Sequence, residues 1–169
     1  MKIIIVNREP MRVIGLKQKT NTNELIVPDL WEKFFVRMEE IEEYVVPECS
    51  LGVCIGDSFE EKKGITHFEY LACQVLKKEP DEIPEGMVIH SIPGGLYAVF
   101  THEGNVETLS ETYSYIYDEW LEESVYELDV RDQFEWYDNR FKYMEDDSQL
   151  DIHIPIKPLQ DFVVPPEEE

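Results

Sequence analysis

The chain has 169 residues, long enough for one domain with a substantial core, or for one domain built from two similar halves. Its 37 acidic residues against 15 basic ones give a net charge of −22, which disfavours direct nucleic-acid binding, an anionic membrane surface and phosphate-rich substrates; it reads first as a means of solubility, and any partner it selects is cationic. No apolar run approaches the roughly 18 residues of a membrane-spanning helix, and the three scattered cysteines read as reduced thiols of a cytoplasmic protein.

In chain order, residues 2–6 (KIIIV) begin a strand that continues through MRVIGLKQ after a bulge at Pro10. Pro28 then opens a helix across PDLWEKFFVRMEEIEEYV, where Leu30, Phe34, Met38 and Ile41 recur at helical spacing and Trp31 and Phe35 widen the stripe. SLGVCIGDS is a short strand with glycines, and THFEYLACQVL an apolar strand after the turn EEKKG. The proline-rich stretch KKEPDEIPEG is a connector.

The second half repeats the order. MVIHSIPGGLYAVFTHEG reads as strand, kink and strand, and NVETLSETYSYIYDEWLEES as a helix with Leu109, Tyr113, Ile116 and Trp120 on one stripe and Tyr117 beside it. DQFEWYDNRFKYM is a strand, EDDSQ a turn and LDIHIPIKP the closing strand. Pro10 corresponds to Pro93, and FEYLACQVL to LDIHIPIKP, at an offset of about 83 to 85 residues. The reading is an α+β fold: a duplicated β-α-β-β unit with pseudo-two-fold symmetry, in which an antiparallel sheet carries two helices and a central ligand cleft. Residues 1–160 form one domain, with repeats over 1–86 and 87–158, and 161–169 form a loosely ordered acidic tail. The charge is uneven: residues 1–86 carry 11 basic and 17 acidic residues, net −6, and residues 87–169 carry 4 and 20, net −16.

The most informative segment is Phe134-Glu135-Trp136-Tyr137. Strand alternation puts Glu135 and Tyr137 on one side, Phe134 and Trp136 on the other. Two readings stand for Glu135: a counter-charge in an aromatic cleft, where a flat organic cation gains about 0.5–2 kcal/mol per ring contact, or a solvated acid on an edge strand. Tyr113, Tyr117 and Trp120 face whatever their helix packs on, and Trp31 and Phe35 occupy the matching place in the first helix. The four histidines have no metal-ligand spacing, and no phosphate-loop, calcium-loop or nucleophile-elbow pattern is present, so neither metal nor cofactor is expected.

IPGGLYAVFTHEG, the Tyr-rich helix ending YDEWL, FEWY and IHIPIK together resemble the GyrI-like small-molecule-binding family, which includes the AraC-type effector-binding domain and the drug-binding domain of MerR-type multidrug regulators. VPDLWEKFF and FEYLACQVL resemble the first half of its stand-alone, integron-cassette-like members. The resemblance covers residues 1 to about 158. It implies recognition of lipophilic, often cationic, aromatic compounds, with the central acid at Glu135 and pocket rings at Trp120, Tyr137, Tyr117 and Tyr70. Glu122 departs from the pattern, standing where the family usually has proline. With no room for a helix-turn-helix, a regulatory role would work through a partner protein or by sequestering the ligand. Two rivals follow from the same resemblance: a hydrolase of reactive electrophiles with Glu135 as general base, and a protein inhibitor of the gyrase-inhibitor type using the acidic second half.

Overall fold

The computed structural model describes residues 1–23 and 27–159; the expected acidic tail lies outside them. Ten strands form one antiparallel sheet: β1 Lys2–Arg8, β2 Met11–Asn21, β3 Val45–Cys54, β4 Glu60–Lys62, β5 Ile65–Leu76, β6 Val88–Ile92, β7 Gly95–Glu103, β8 Tyr126–Leu128, β9 Gln133–Tyr137 and β10 Gln149–Pro158. Helix α1 spans Val27–Phe35 and α2 spans Leu109–Tyr115. A π-helical turn, Ile116–Trp120, and a last α turn, Leu121–Glu123 (α3), continue α2.

The strand order β1-β7-β10-β9-β3-β5-β2-β6 is symmetric about the β9/β3 pair. It is the duplicated α+β fold expected, with one difference at the first strand of each half. The chain does not run on as one bulged strand through Pro10. It crosses there, so that β1 pairs with β7 of the second half and β6 pairs with β2 of the first. Proline supplies no N–H for the ladder, which breaks the strand where the crossing occurs. The two crossings touch: a Cβ on Gly94 would lie 2.7 Å from the Arg8 carbonyl oxygen and 2.9 Å from Pro10 Cδ. Arg131 clamps the second crossing by donating to the carbonyls of Gly94 (3.3 Å), Leu96 (2.5 Å) and Ile156 (3.2 Å).

The expected long first helix is cut short. After Phe35 the chain tightens into a 3-10 stretch, Met38–Tyr44, which buries Ile41, and Val45 already belongs to β3 opposite Leu76. The β preference of the two β-branched residues Val45 and Val46, with Val45 paired to Leu76, prevails over the helical pattern. The expected strand over 132–144 stops at Tyr137, because Asp138 accepts the Arg140 backbone N–H at 3.0 Å and turns the chain. Strand β8, which the sequence pattern did not indicate, pairs with the end of β10. At Glu122, where proline would interrupt the backbone ladder, the α turn continues to Glu123.

The sheet curls. On its concave face a shared core joins both halves, with Val13, Leu51, Leu71, Tyr97, Val99 and Phe134 buried together. On the other face the helices sit apart: α1 packs on Ile14, Tyr70 and Ala72, and α2 with its π turn packs on Phe100, Ile152 and Ile154. Between the two helices runs the β9/β3 seam.

Candidate functional site

Glu135 lies on that seam. Strand β9 is paired on both sides, with Glu135 opposite Gly52 of β3 and opposite Ile152 of β10, so it is a central strand and not a solvated edge. The half-buried carboxylate accepts two phenol hydrogen bonds, from Tyr113 Oη to Oε2 and from Tyr137 Oη to Oε1, both 2.6 Å. Among the described residues no Lys, Arg or His forms an ion pair with it; Arg131 is held by Asp129, and Arg140 by Asp138 and Asp151. The acid therefore carries a charge met by neutral donors alone.

Those donors are fixed in their protonated form. Burial, reinforced by the charge of Glu135, holds the Tyr113, Tyr137 and Tyr70 phenols well above the usual tyrosine range. Burial pushes Tyr117 up to about 12, and burial with Glu135 next in importance pushes the Cys54 thiol up to about 12. A cleft that raises every neighbouring acid in this way is one in which additional negative charge is strongly disfavoured.

The expected site residues separate into two groups. Glu135, Tyr113 and Tyr137 form the hydrogen-bonded centre. Tyr70, buried on β5, reaches the seam across Gly52: a Cβ there would lie 2.1 Å from Tyr70 Oη. Trp31 Nε1 donates to the same oxygen at 2.9 Å, and its ring meets Tyr137 edge-on at 5.8 Å. Tyr117 stacks on Tyr113 at 6.3 Å and donates to Gln133 Oε1 at 2.5 Å, two residues before Glu135 on β9. Two residues stand further out. Trp120 is turned into the α2 packing, edge-on to Phe100 at 5.0 Å and stacked on Tyr126 at 6.4 Å. Phe35 is 58% exposed and touches the group only through Trp31, 5.5 Å away. The π turn at Ile116–Trp120 lies between Tyr113 and Trp120, and both rings still pack on the core beneath α2.

Four participants escaped sequence reasoning. Gly52 makes room for Tyr70, Gln133 and Cys54 line the cavity beside Glu135, and Phe141 packs edge-on against Tyr137 at 4.8 Å. A glycine inside an apolar strand is a sign of close approach by another group, and Gly52 in SLGVC carried that sign. The cavity at the seam is small, about 60 Å³, and is lined by Gly52, Cys54, Tyr70, Tyr113, Gln133 and Glu135. Its volume suits a few waters and is too small for an organic ligand of drug size.

The family model of the GyrI-like small molecule binding domain matches residues 1–157. The chain belongs to the GyrI-like small-molecule-binding family. A curated relative, the transcriptional regulator BrlR of Pseudomonas aeruginosa, is 34% identical over 153 residues, which cover 90% of this chain and 54% of BrlR; the chain thus spans about half the length of that relative. Among solved structures, SAV2435 bound to tetraphenylphosphonium superposes with a TM-score of 0.68 at 15% identity, over 93% of this chain and 94% of the other. The Vibrio cholerae integron cassette protein VCH_CASS2 does so with a TM-score of 0.66 at 16% identity, over 92% and 95%. These likenesses establish the GyrI-like fold. In keeping with it, no helix among the described residues is long and apolar enough to cross a membrane.

Proposed function

We propose that this chain binds lipophilic organic cations with aromatic groups, held at Glu135 between the two helices. The observation that carries the reading is the Glu135 carboxylate, half-buried in a wall of rings with two phenol donors and no cation of its own. A permanent organic cation supplies the missing charge, and each ring face it meets adds about 0.5–2 kcal/mol. That SAV2435 was solved with tetraphenylphosphonium supports this class of ligand.

The small size of the cavity bears on how a ligand would enter. With about 60 Å³ available, a ligand of drug size enters only when rings part. The rings that part are Tyr70 and Tyr137 with Trp31, which backs both of them, and the exposed Phe35 at the end of α1 lies behind Trp31. The work of opening lowers the affinity to the order of micromolar, about −8 kcal/mol. Binding is favoured over hydrolysis because both carboxylate oxygens already accept a phenol, leaving Glu135 poorly placed to take a proton from water. A regulatory role, suggested by the relation to BrlR, would pass the ligand signal to a protein partner or act by sequestering the compound. Titration calorimetry with tetraphenylphosphonium and the neutral triphenylphosphine oxide tests the reading. Preference for the cation supports it, and equal binding of the two refutes it.

A further inference from the structure

Because β9 alternates, the face opposite Glu135 has a different chemistry. There the Arg8 guanidinium lies 5.3 Å from the Trp136 ring centre, although β1 and β9 are separated by β7 and β10. The curl of the sheet brings the two together. The chain has five arginines. Four bind carboxylates: Arg12 binds Glu79, Arg37 binds Glu40, Arg131 binds Asp129, and Arg140 binds Asp138 and Asp151. Arg8 forms no ion pair with any described residue, in a chain with 37 acids.

Its surroundings leave further polar groups unmet. Arg8 Nε is buried without a hydrogen-bond partner. His153, fully buried and stacked on Phe134 at 4.2 Å, lies 6.2 Å from the Trp136 ring. Its Nδ1 donates to the Asp151 carbonyl at 3.2 Å, which leaves Nε2 a lone pair with no donor. Burial, and after it the charge of Arg8, lowers this imidazole to about 3, so it is neutral and does not add to the local charge. Asp138, the acid that acts with Arg8 on the Cys49 thiol, is already held by Arg140 at 2.9 and 3.0 Å. Arg8 and Trp136 are both half-buried and so reachable from solvent, and Ile4 on the same face is 44% exposed. A guanidinium fork with no carboxylate among the described residues, set on an aromatic plane and flanked by apolar surface, matches a flat acid: the fork takes both carboxylate oxygens and the ring body meets the apolar groups.

We propose that Arg8 and Trp136 form a second binding site, for flat organic carboxylates, on the concave face opposite the Glu135 cleft. The probe is 2-naphthoate, with 2-naphthamide as its neutral counterpart, titrated into the full chain by calorimetry and by the Trp136 indole N–H resonance, assigned through Trp136→Phe. The bulk field of a chain at net −22 repels anions, so binding of the acid requires a local cation. The expected result is a shifted Trp136 resonance, at least about tenfold preference for the acid over the amide, and at least about tenfold weaker binding in Arg8→Gln, as a lost charge-assisted pair implies. Arg8→Lys, which keeps the charge and loses the fork, should fall between the two and serves if Arg8→Gln does not fold. Glu135→Gln should leave naphthoate binding intact, which separates this site from the cleft. Equal binding of acid and amide, an unmoved Trp136 resonance, undiminished affinity in either Arg8 variant, or loss of naphthoate binding in Glu135→Gln would each overturn the proposal.

Discussion

Glu135→Gln separates a ligand acid from a structural one, and the structure sets both magnitudes. In the parent, two phenol–carboxylate bonds of 2.6 Å are each worth about 1.5–3 kcal/mol, as hydrogen bonds to a charged group. Glutamine keeps one acceptor oxygen for one phenol, and its amide N–H faces the other, whose oxygen can turn to accept. Two neutral bonds of about 1 kcal/mol each remain. The hydrogen-bond loss is therefore about 1–4 kcal/mol. Against it stands relief from holding a half-buried carboxylate without a cation, several kcal/mol for full burial and less here. The two nearly cancel, so stability should change by no more than about 1 kcal/mol. Cation binding has no such compensation and should weaken by about 2–5 kcal/mol, roughly 30- to 5,000-fold in Kd. Urea unfolding followed by circular dichroism reads the first quantity, and calorimetric titration with tetraphenylphosphonium the second. A variant that binds the cation within threefold of the parent refutes Glu135 as the ligand acid. A variant that loses more than about 3 kcal/mol of stability shows instead that the carboxylate serves the fold.

Tyr113→Phe should move the two readouts in opposite directions: leaving Oε2 of Glu135 without its donor costs the apo protein about 1–3 kcal/mol, while the less satisfied carboxylate binds tetraphenylphosphonium several-fold more tightly, so weaker or unchanged binding counts against charge satisfaction as the basis of affinity. Gly52→Ala places a methyl 2.1 Å from Tyr70 Oη, which must move and release Trp31 Nε1; a loss of about 1–3 kcal/mol and a changed Trp emission spectrum should follow, and an unchanged spectrum would show that the Trp31–Tyr70 bond tolerates the methyl. Stability should be greatest between about pH 6.5 and 9. Below 6.5 an unfolded histidine takes a proton that buried His153, lowered to about 3, refuses, so stability falls toward acid; above 9 to 10 unfolded thiols and phenols lose protons that Cys54 and Tyr117, raised to about 12, retain, so stability falls toward alkali. His153→Phe should flatten the acid limb of a pH series of unfolding midpoints, and an unaltered limb would assign it to carboxylates.

Much of this was legible because the relevant signals are local. Alternation put Glu135 and Tyr137 on one face, and helical spacing put Tyr113 and Tyr117 on one stripe. The repeat of kink, strand, helix and closing strand gave the architecture. What escaped depended on the partner across space. That the first strand of each half pairs with the other half cannot be read from either strand, because hydrogen bonds to β7 and to β2 make the same demands on KIIIV and VIHSI. The packing of Trp120 on Phe100 of β7 and Tyr126 of β8 likewise depends on partners outside its own helix. Cys54 entered the site through the pairing of β3 with β9, and its residue type gave no sign of it, whereas Gln133, two residues before Glu135 on β9, shares that face by alternation.

The registers explain why the site lies at the centre of the fold. One row of directly paired residues crosses the sheet as Ile3, Phe100, Ile152, Glu135, Gly52, Ala72 and Leu16. Read from the middle outward it pairs Gly52 with Glu135, Ala72 with Ile152 and Leu16 with Phe100, residue-number differences of 83, 80 and 84, close to the offset of the sequence repeat. The outer members of the row lie under α1 and α2, where large apolar side chains are buried. The two central positions lie under neither helix, so duplication leaves a gap on its own axis. A symmetric pair of large residues there would fill the gap, and a symmetric pair of acids would repel. The chain breaks the symmetry instead. Glycine on β3 gives the space into which Tyr70 projects, and glutamate on β9 gives the charge that Tyr113 and Tyr137 hold in place. Neither residue would serve alone: an alanine at position 52 displaces the ring that walls the cleft, and a glycine at position 135 removes the acceptor that Tyr113 and Tyr137 share.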